Sequence, residues 1–355
     1  MTIPSLSVLV LQGGDRARGQ QQGASLRPQI HRNVAELLGD LLTGANPARR
    51  TQIRAWQARL RAFCFDHWPW LQEEMQGLAD GAGLDQETVE LLNFRAWQYE
   101  VYHAGACSSL AVPGEHGRIL TAGTLDDPRH LYAVVQCQPT AGLRYLSFPI
   151  AGTTWANRGM NESGLALGIS SLICPGVKFD LSNLVPADLV FRHLLQFCGT
   201  VAEIESACRK FKFFCNLVAV DRHGGVFACS RHGDGLTVYP AAPNGAVLTN
   251  HPLEPAATAL RARGFTGTDP GAFSAERHAE LVAWCDGHRG RATVADAQAC
   301  FGAGRKFGCV NNPTTAFATI AVPQADPHTL WVAQQPVTPG AFHAFDVRTG
   351  AKIGP

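Results

Sequence analysis

Apolar residues recur at helical spacing through roughly residues 28–98: Ile53, Trp56, Leu60 and Phe63 in one run, then Leu71, Met75 and Leu78. Residues three and four apart share one face of a helix, so this region is expected to be mostly α. Pro69 precedes the second run, where a helix start tolerates proline. Before it, the short apolar run Val8 to Leu11 is expected to be an edge strand. Near residue 107 the period changes. Cys107-Ser108-Ser109-Leu110-Ala111-Val112 and Arg118-Ile119-Leu120-Thr121-Ala122 flank the turn formers Pro113-Gly114-Glu115-His116-Gly117, a hairpin signal. Pairing Val112 with Arg118 sets Cys107 opposite about Gly123, with Thr124, Leu125 and Asp126 as neighbours. Period two puts Ser109 on the face of Cys107.

Further strands are expected at 130–137, 144–150, 164–170, 215–221, 225–229, 235–239, 245–250, 314–322 and 328–334, and helices at about 187–198, 201–213 and 275–285. Thr200 followed by Glu203 forms a capping box at the second of these helices. Consecutive strands interrupted by helical blocks predict an α+β fold with antiparallel sheets, and no repeat or low-complexity tract is present. The Gly/Pro-rich stretch 264–273 reads as a loop.

Composition narrows the class. With 46% hydrophobic and 17% charged residues over 355 positions, the chain can bury a large core, as one large domain or two. Thirty Lys+Arg against 29 Asp+Glu leave +1, so no bulk field recruits nucleic acid or anionic membrane. Eleven scattered cysteines, mostly in apolar runs, read as buried thiols. Neither a leader-like start nor an apolar stretch of about 18 residues appears, and the expected location is cytoplasmic. Phosphate-cradling Gly-x-x-x-x-Gly-Lys-Ser/Thr, Cys-x-x-Cys, His-Glu-x-x-His and Gly-x-Ser-x-Gly are all missing, so no metal or organic cofactor is expected.

Cys107 stands apart from the other cysteines. It follows Ala104-Gly105-Ala106 at the junction of the helical and β regions. Cleavage before it would create an N-terminal residue with a thiol nucleophile and an α-amine whose ordinary pKa, roughly 7.7–8, suits a base near neutrality. Small residues upstream would let the thiol reach the preceding carbonyl. Asp126 could hold the ammonium or orient the amine, and Ser109 could bond it.

At these positions the chain resembles the acyl-coenzyme A:6-aminopenicillanic acid acyltransferase (isopenicillin N acyltransferase) family of N-terminal-nucleophile hydrolases. The resemblance runs through Leu11-Gln12-Gly13 with Gly19 and Gly23, Trp68-Pro69 with Glu73-Glu74-Met75-Gln76-Gly77-Leu78-Ala79, Leu92-Asn93, Asn161-Glu162-Ser163-Gly164-Leu165-Ala166, and Leu248-Thr249-Asn250-His251. It implies a four-layer αββα sandwich and self-cleavage at Ala106-Cys107. Residues 1–106 would remain bound as a small helical chain, with 107–355 as the catalytic chain. It further implies Cys107 as nucleophile, Asp126 as the carboxylate at its amine, and Asn250 as oxyanion donor. The implied chemistry is acyl transfer from a small-molecule amide or thioester to water or an amine, with coenzyme A as a conceivable acyl carrier. Three positions depart from the family pattern: Ala106 replaces a usual Gly, Thr124 an Asn, and Ser170 or Ser171 a second Asn. They bear on self-cleavage and substrate identity.

Weaker candidates are Ser230 and the Asn311-Asn312-Pro313-Thr314-Thr315 segment, as pocket lining. Trp68, Trp70 and Trp97 read as core aromatics. His251 opens an alternative, an ordinary Cys-His hydrolase, and a second alternative is an unprocessed, inactive binding protein.

Overall fold

The computed structural model describes residues 6–43, 47–94, 106–127, 131–177, 184–240, 245–266, 273–304, 306 and 309–354. Ala104, Gly105 and Trp97 lie outside them. Two sheets carry the architecture. The first has eight strands in the order β1 (Val8–Gly13), β4 (Val134–Pro139), β5 (Tyr145–Ser147), β6 (Arg158–Asn161), β7 (Ala166–Ser170), β8 (Phe214–Val220), β9 (Val226–His232) and β10 (Gly235–Tyr239). The second has seven: β11 (Ala246–Leu248), β2 (Ala106–Pro113), β3 (Ile119–Asp126), β12 (Thr315–Ala321), β13 (Thr329–Gln334), β14 (His343–Asp346) and β15 (Lys352–Ile353). Among the described strands only β1 with β4 pairs in parallel; the other strand pairs are antiparallel.

Strand alternation sorts the core into layers. Leu110 and Val112 of β2 pack with Leu281 of α9 (Ser274–His288) and Phe301 of α10 (Val294–Gly302) on the outer side of the second sheet. Their neighbours Cys107 and Ala111 face the first sheet, against Leu146 and Phe148 in one cluster and Val218 in another. Leu165, Leu167 and Ile169 turn away from the second sheet, toward α2 (Arg27–Thr43), α3 (Pro47–His67), α4 (Pro69–Ala82), α5 (Gln86–Asn93), α6 (Ala187–Phe197) and α7 (Val201–Lys210). The order is therefore helix, sheet, sheet, helix: an αββα sandwich of the α+β class. A further short helix, α8 (Ala256–Arg261), contributes Leu260 to a separate small cluster. No helix among the described residues is long and apolar enough to cross a membrane.

Several expectations need correction. Helix α1 (Asp15–Ser25) lies where the sequence shows no apolar period, because it buries glycines instead. A Cβ on Gly19 would come under 3.0 Å from the Glu74 carbonyl, and one on Gly77 equally close to the Arg16 carbonyl, so α1 and α4 touch backbone to backbone. The hairpin register is two residues from that expected: Val112 pairs with Leu120 and Cys107 with Leu125. Glu115–Gly117 forms a 3-10 turn that holds 114–118 out of the ladder, and Gly114 N donates to the Arg118 carbonyl at 2.7 Å. A shift of two preserves the faces, so Ser109 still shares the side of Cys107. Strand β6 went unread, being only four residues long with Gly159 inside it. The α7 helix ends at Lys210 rather than 213, and its capping box between Thr200 and Glu203 is present.

Candidate active site

The register of β11 on β2 builds the site. Leu248 pairs with Ser109, and continuing that pairing by two residues brings Asn250 opposite Cys107. The strand itself stops at Leu248, so Asn250 meets Cys107 through its side chain: Cys107 N donates to Asn250 Oδ1 at 3.0 Å, across 143 residues of chain. Asn250 Nδ2 donates to the Ser171 carbonyl at 2.8 Å. Its oxygen therefore faces the Cys107 nitrogen, and one amide hydrogen is committed to Ser171.

Two buried arginines enclose Cys107 from opposite faces of the second sheet. From α9, Arg277 Nη1 donates to the Cys107 carbonyl at 2.7 Å and to Ser108 Oγ at 2.6 Å, and Nη2 donates to Asn250 Oδ1 at 2.6 Å. The same Nη1 lies 4.0 Å from Asp126 Oδ2. From β6, Arg158 Nη2 donates to the Ser108 and Thr124 carbonyls at 2.8 and 2.9 Å, to Ser109 Oγ at 2.9 Å and to the Ile169 carbonyl at 3.2 Å. Among the described residues no carboxylate lies within ion-pair distance of Arg158. Its guanidinium occupies a slot between Gly123 and Gly168, where a Cβ on either would fall under 3.0 Å from Nη1.

Asp126 is fully buried, and its carboxylate accepts from Asn312 Nδ2 at 3.0 Å and from Thr315 Oγ1 at 2.7 Å. Burial raises its pKa, against the pull of Arg277, Thr315 and Asn312. Burial also pushes the Cys107 thiol up to about 11; Arg158 lowers it, Asp126 raises it, and Arg277 lowers it. Arg158 is itself brought down to about 10 by burial. In the intact chain the thiol is thus held neutral near pH 7, with two cations placed to favour the thiolate.

The other sequence-named residues fall in different places. Ala106 is buried in β2, paired with Asp126. Ser109 bonds Arg158 rather than the Cys107 nitrogen. Thr124 and Ser170 are buried, and their hydroxyls have no hydrogen-bond partner among the described residues. Ser171 takes part through its carbonyl. Ser230 stands behind the site, bonded to Asn216 Oδ1 at 2.5 Å and to Tyr239 Oη at 2.7 Å. His251 Nδ1 faces Ser274 Oγ at 2.8 Å and Thr249 Oγ1 at 3.2 Å, and burial followed by His278 and Arg277 lowers its pKa to about 4. No hydrogen bond joins it to Cys107 among the described residues.

Sequence reading missed Arg158, Arg277, Asn216 and Ser274, and it rated Asn312 and Thr315 only as weak pocket lining. Arg158 carried one usable signal, a charge alternating with Met160 immediately before the Asn161 block. Arg277 carried none, since an arginine on a helix ordinarily faces solvent.

No family model and no curated protein matches the chain. Among solved structures it is similar to a mutant conjugated bile acid hydrolase from Clostridium perfringens, with 13% identity, 68% of this chain and 92% of that one covered, and a TM-score of 0.47. It is also similar to a Caenorhabditis elegans N-acylethanolamine-hydrolyzing acid amidase ortholog (15% identity, 62% and 95% covered, TM-score 0.47). Penicillin V acylase from Agrobacterium tumefaciens is a third such structure (16% identity, 68% and 91% covered, TM-score 0.43).

Proposed function

We propose that the chain is a self-processing cysteine amidohydrolase or acyltransferase that acts on a small-molecule amide or thioester, of the isopenicillin N acyltransferase kind. The observation that carries this is the bond from Cys107 N to Asn250 Oδ1, which ties the nitrogen beside the thiol to a buried amide.

In the first step the Cys107 thiol attacks the Ala106 carbonyl, and the scissile nitrogen takes a proton as the C–N bond breaks. That cleavage frees the Cys107 α-amine, and water then hydrolyses the thioester and frees the thiol. In turnover that amine accepts the thiol proton as sulfur attacks the substrate carbonyl. The second Asn250 Nδ2 hydrogen then serves the oxyanion, a contact type whose loss costs about 2.7–4 kcal/mol in kcat. The protonated amine next delivers its proton to the leaving amine, and water or an acceptor amine releases the acyl group from sulfur. Asp126, fixed by Asn312 and Thr315, supplies negative charge that steadies the ammonium and Arg277. Coenzyme A enters, if at all, as part of a thioester substrate. The αβ pair formed by residues 1–106 and 107–355 would be the working enzyme. The bonds of His251 to Ser274 and Thr249, together with its lowered pKa, leave it a poor base for an alternative Cys-His scheme.

The test is a panel of N-acyl amino acids, peptides and β-lactams screened for amine release. Amine release that disappears completely in Cys107→Ala supports the reading. Release that survives in Cys107→Ala, or that disappears in His251→Ala while persisting in Asp126→Asn, contradicts it.

A further inference from the structure

Asn250 lies past the end of β11, so no ladder holds its backbone; side chains and one loop amide do so instead. Asn250 N donates to Ser274 Oγ at 2.8 Å, and the Asn250 carbonyl accepts from Ile173 N at 2.7 Å. On the opposite side, Asn216 Nδ2 donates to the Thr249 carbonyl at 2.7 Å and to the His251 carbonyl at 3.1 Å, one on each side of Asn250. Both hydrogens of that amide are thereby used on the segment that carries Asn250.

The orientation of the Asn216 amide is itself fixed. Ser230, its partner across the β8–β9 pair, donates to Asn216 Oδ1 at 2.5 Å. A serine hydroxyl has one hydrogen, so Ser230 Oγ then accepts from Tyr239 Oη, 2.7 Å away on β10, in preference to the Leu253 carbonyl, which lies 3.3 Å from the same phenol oxygen. The chain of donors runs one way: Tyr239 to Ser230 to Asn216 to the two carbonyls. A flipped Asn216 would set its oxygen against the Thr249 and His251 carbonyls, a clash that no rotation of the Ser230 hydroxyl relieves. Asn216 and Ser230 are both fully buried, where such mismatches are expensive.

We propose that Asn216 is a positioning residue, oriented by Ser230 and Tyr239, that sets the Asn250 side chain at Cys107. The proposal rests on the functional reading above. It concerns the acylation rate rather than substrate binding, because misplacing an oxyanion donor by about 1 Å costs on the order of 10²-fold in rate.

The experiment uses the full-length protein as purified and p-nitrophenyl hexanoate as a generic acyl donor, with enzyme in excess over ester. It records the maximal rate, the half-saturating enzyme concentration and the amplitude of p-nitrophenolate release, for wild type, Cys107→Ala, Asn216→Asp and Tyr239→Phe. Asn216→Asp keeps the shape and removes both donors; Tyr239→Phe removes only the outermost donor and keeps the ring. Positioning predicts a maximal rate lowered about 30- to 100-fold in Asn216→Asp and about 3- to 10-fold in Tyr239→Phe. Half-saturation stays within twofold and amplitude stays full. A Tyr239→Phe rate within twofold of wild type overturns the proposal, whether or not Asn216→Asp folds. So does an unchanged maximal rate with a raised half-saturating enzyme concentration, the mark of a merely structural role that lowers only the active fraction. A wild type whose release is no faster than that of Cys107→Ala overturns the functional reading instead, and the positioning role with it.

Discussion

At the scale of single residues, the account turns on what surrounds one sulfur. Burial and Asp126 raise the Cys107 thiol pKa, while Arg158 and Arg277 lower it, and the result is about 11 in the intact chain. Replacing Arg158 by Leu removes a cation that favours the thiolate, so the thiol pKa rises further. Each unit of rise lowers the thiolate fraction about tenfold at any pH below the pKa. In a kcat/KM profile with an aryl ester from about pH 6 to about pH 10, all of it below the thiol pKa, Arg158→Leu should lose at least about tenfold, by nearly the same factor throughout. Arg158→Lys should fall between. A loss just as large in Arg158→Lys, which keeps the charge, would show that Arg158 only fills its slot. The sequence announced Cys107, Asp126 and Asn250 because short motifs surround them. The two arginines stayed hidden because each reaches the site from a separate element, and only folding shows that their heads are buried.

Elements were legible where their apolar period was, as with the runs of α3 and α4 and the start of α4 at Pro69. Helix α1 was not, because its contact with α4 is made by backbone at glycines, which leave no hydrophobic stripe. The register error at the hairpin has a similar origin: nothing in Glu115-His116-Gly117 distinguishes a 3-10 turn from a plain loop. The glycine contact gives a prediction with opposite signs for one chemical change. Ala is favoured over Gly in a helix by about 0.5–1 kcal/mol, and among the described residues beyond its own helix backbone Gly39 in α2 has no atom within 4 Å of where a Cβ would sit, so Gly39→Ala should stabilise by about that amount. Gly77→Ala forces a methyl onto the Arg16 carbonyl and should destabilise by about 1–3 kcal/mol. Denaturant unfolding of the two variants checks this; a stabilised Gly77→Ala would mean that α1 does not lie against α4 as described.

For the whole molecule, the proposed cut at Ala106-Cys107 falls inside a structure whose two parts are interleaved. Strand β1, from the first part, pairs with β4 from the second. Glu74 Oε2 accepts from Arg18 Nη2 at 3.0 Å and from Arg192 Nη2 at 3.1 Å, so one buried carboxylate bridges both sides of the cut. The Arg192 guanidinium lies 4.8 Å from the Trp70 ring centroid and 4.7 Å from that of Tyr145, again one ring from each part. These contacts would keep a severed chain together. Intact-mass measurement of the purified protein reads whether the bond before Cys107 is cut. A processed enzyme runs as one complex under native conditions and separates on denaturation into chains of 106 and 249 residues (355 − 106 = 249). A fully active preparation containing only the uncut 355-residue chain would contradict the self-processing mechanism.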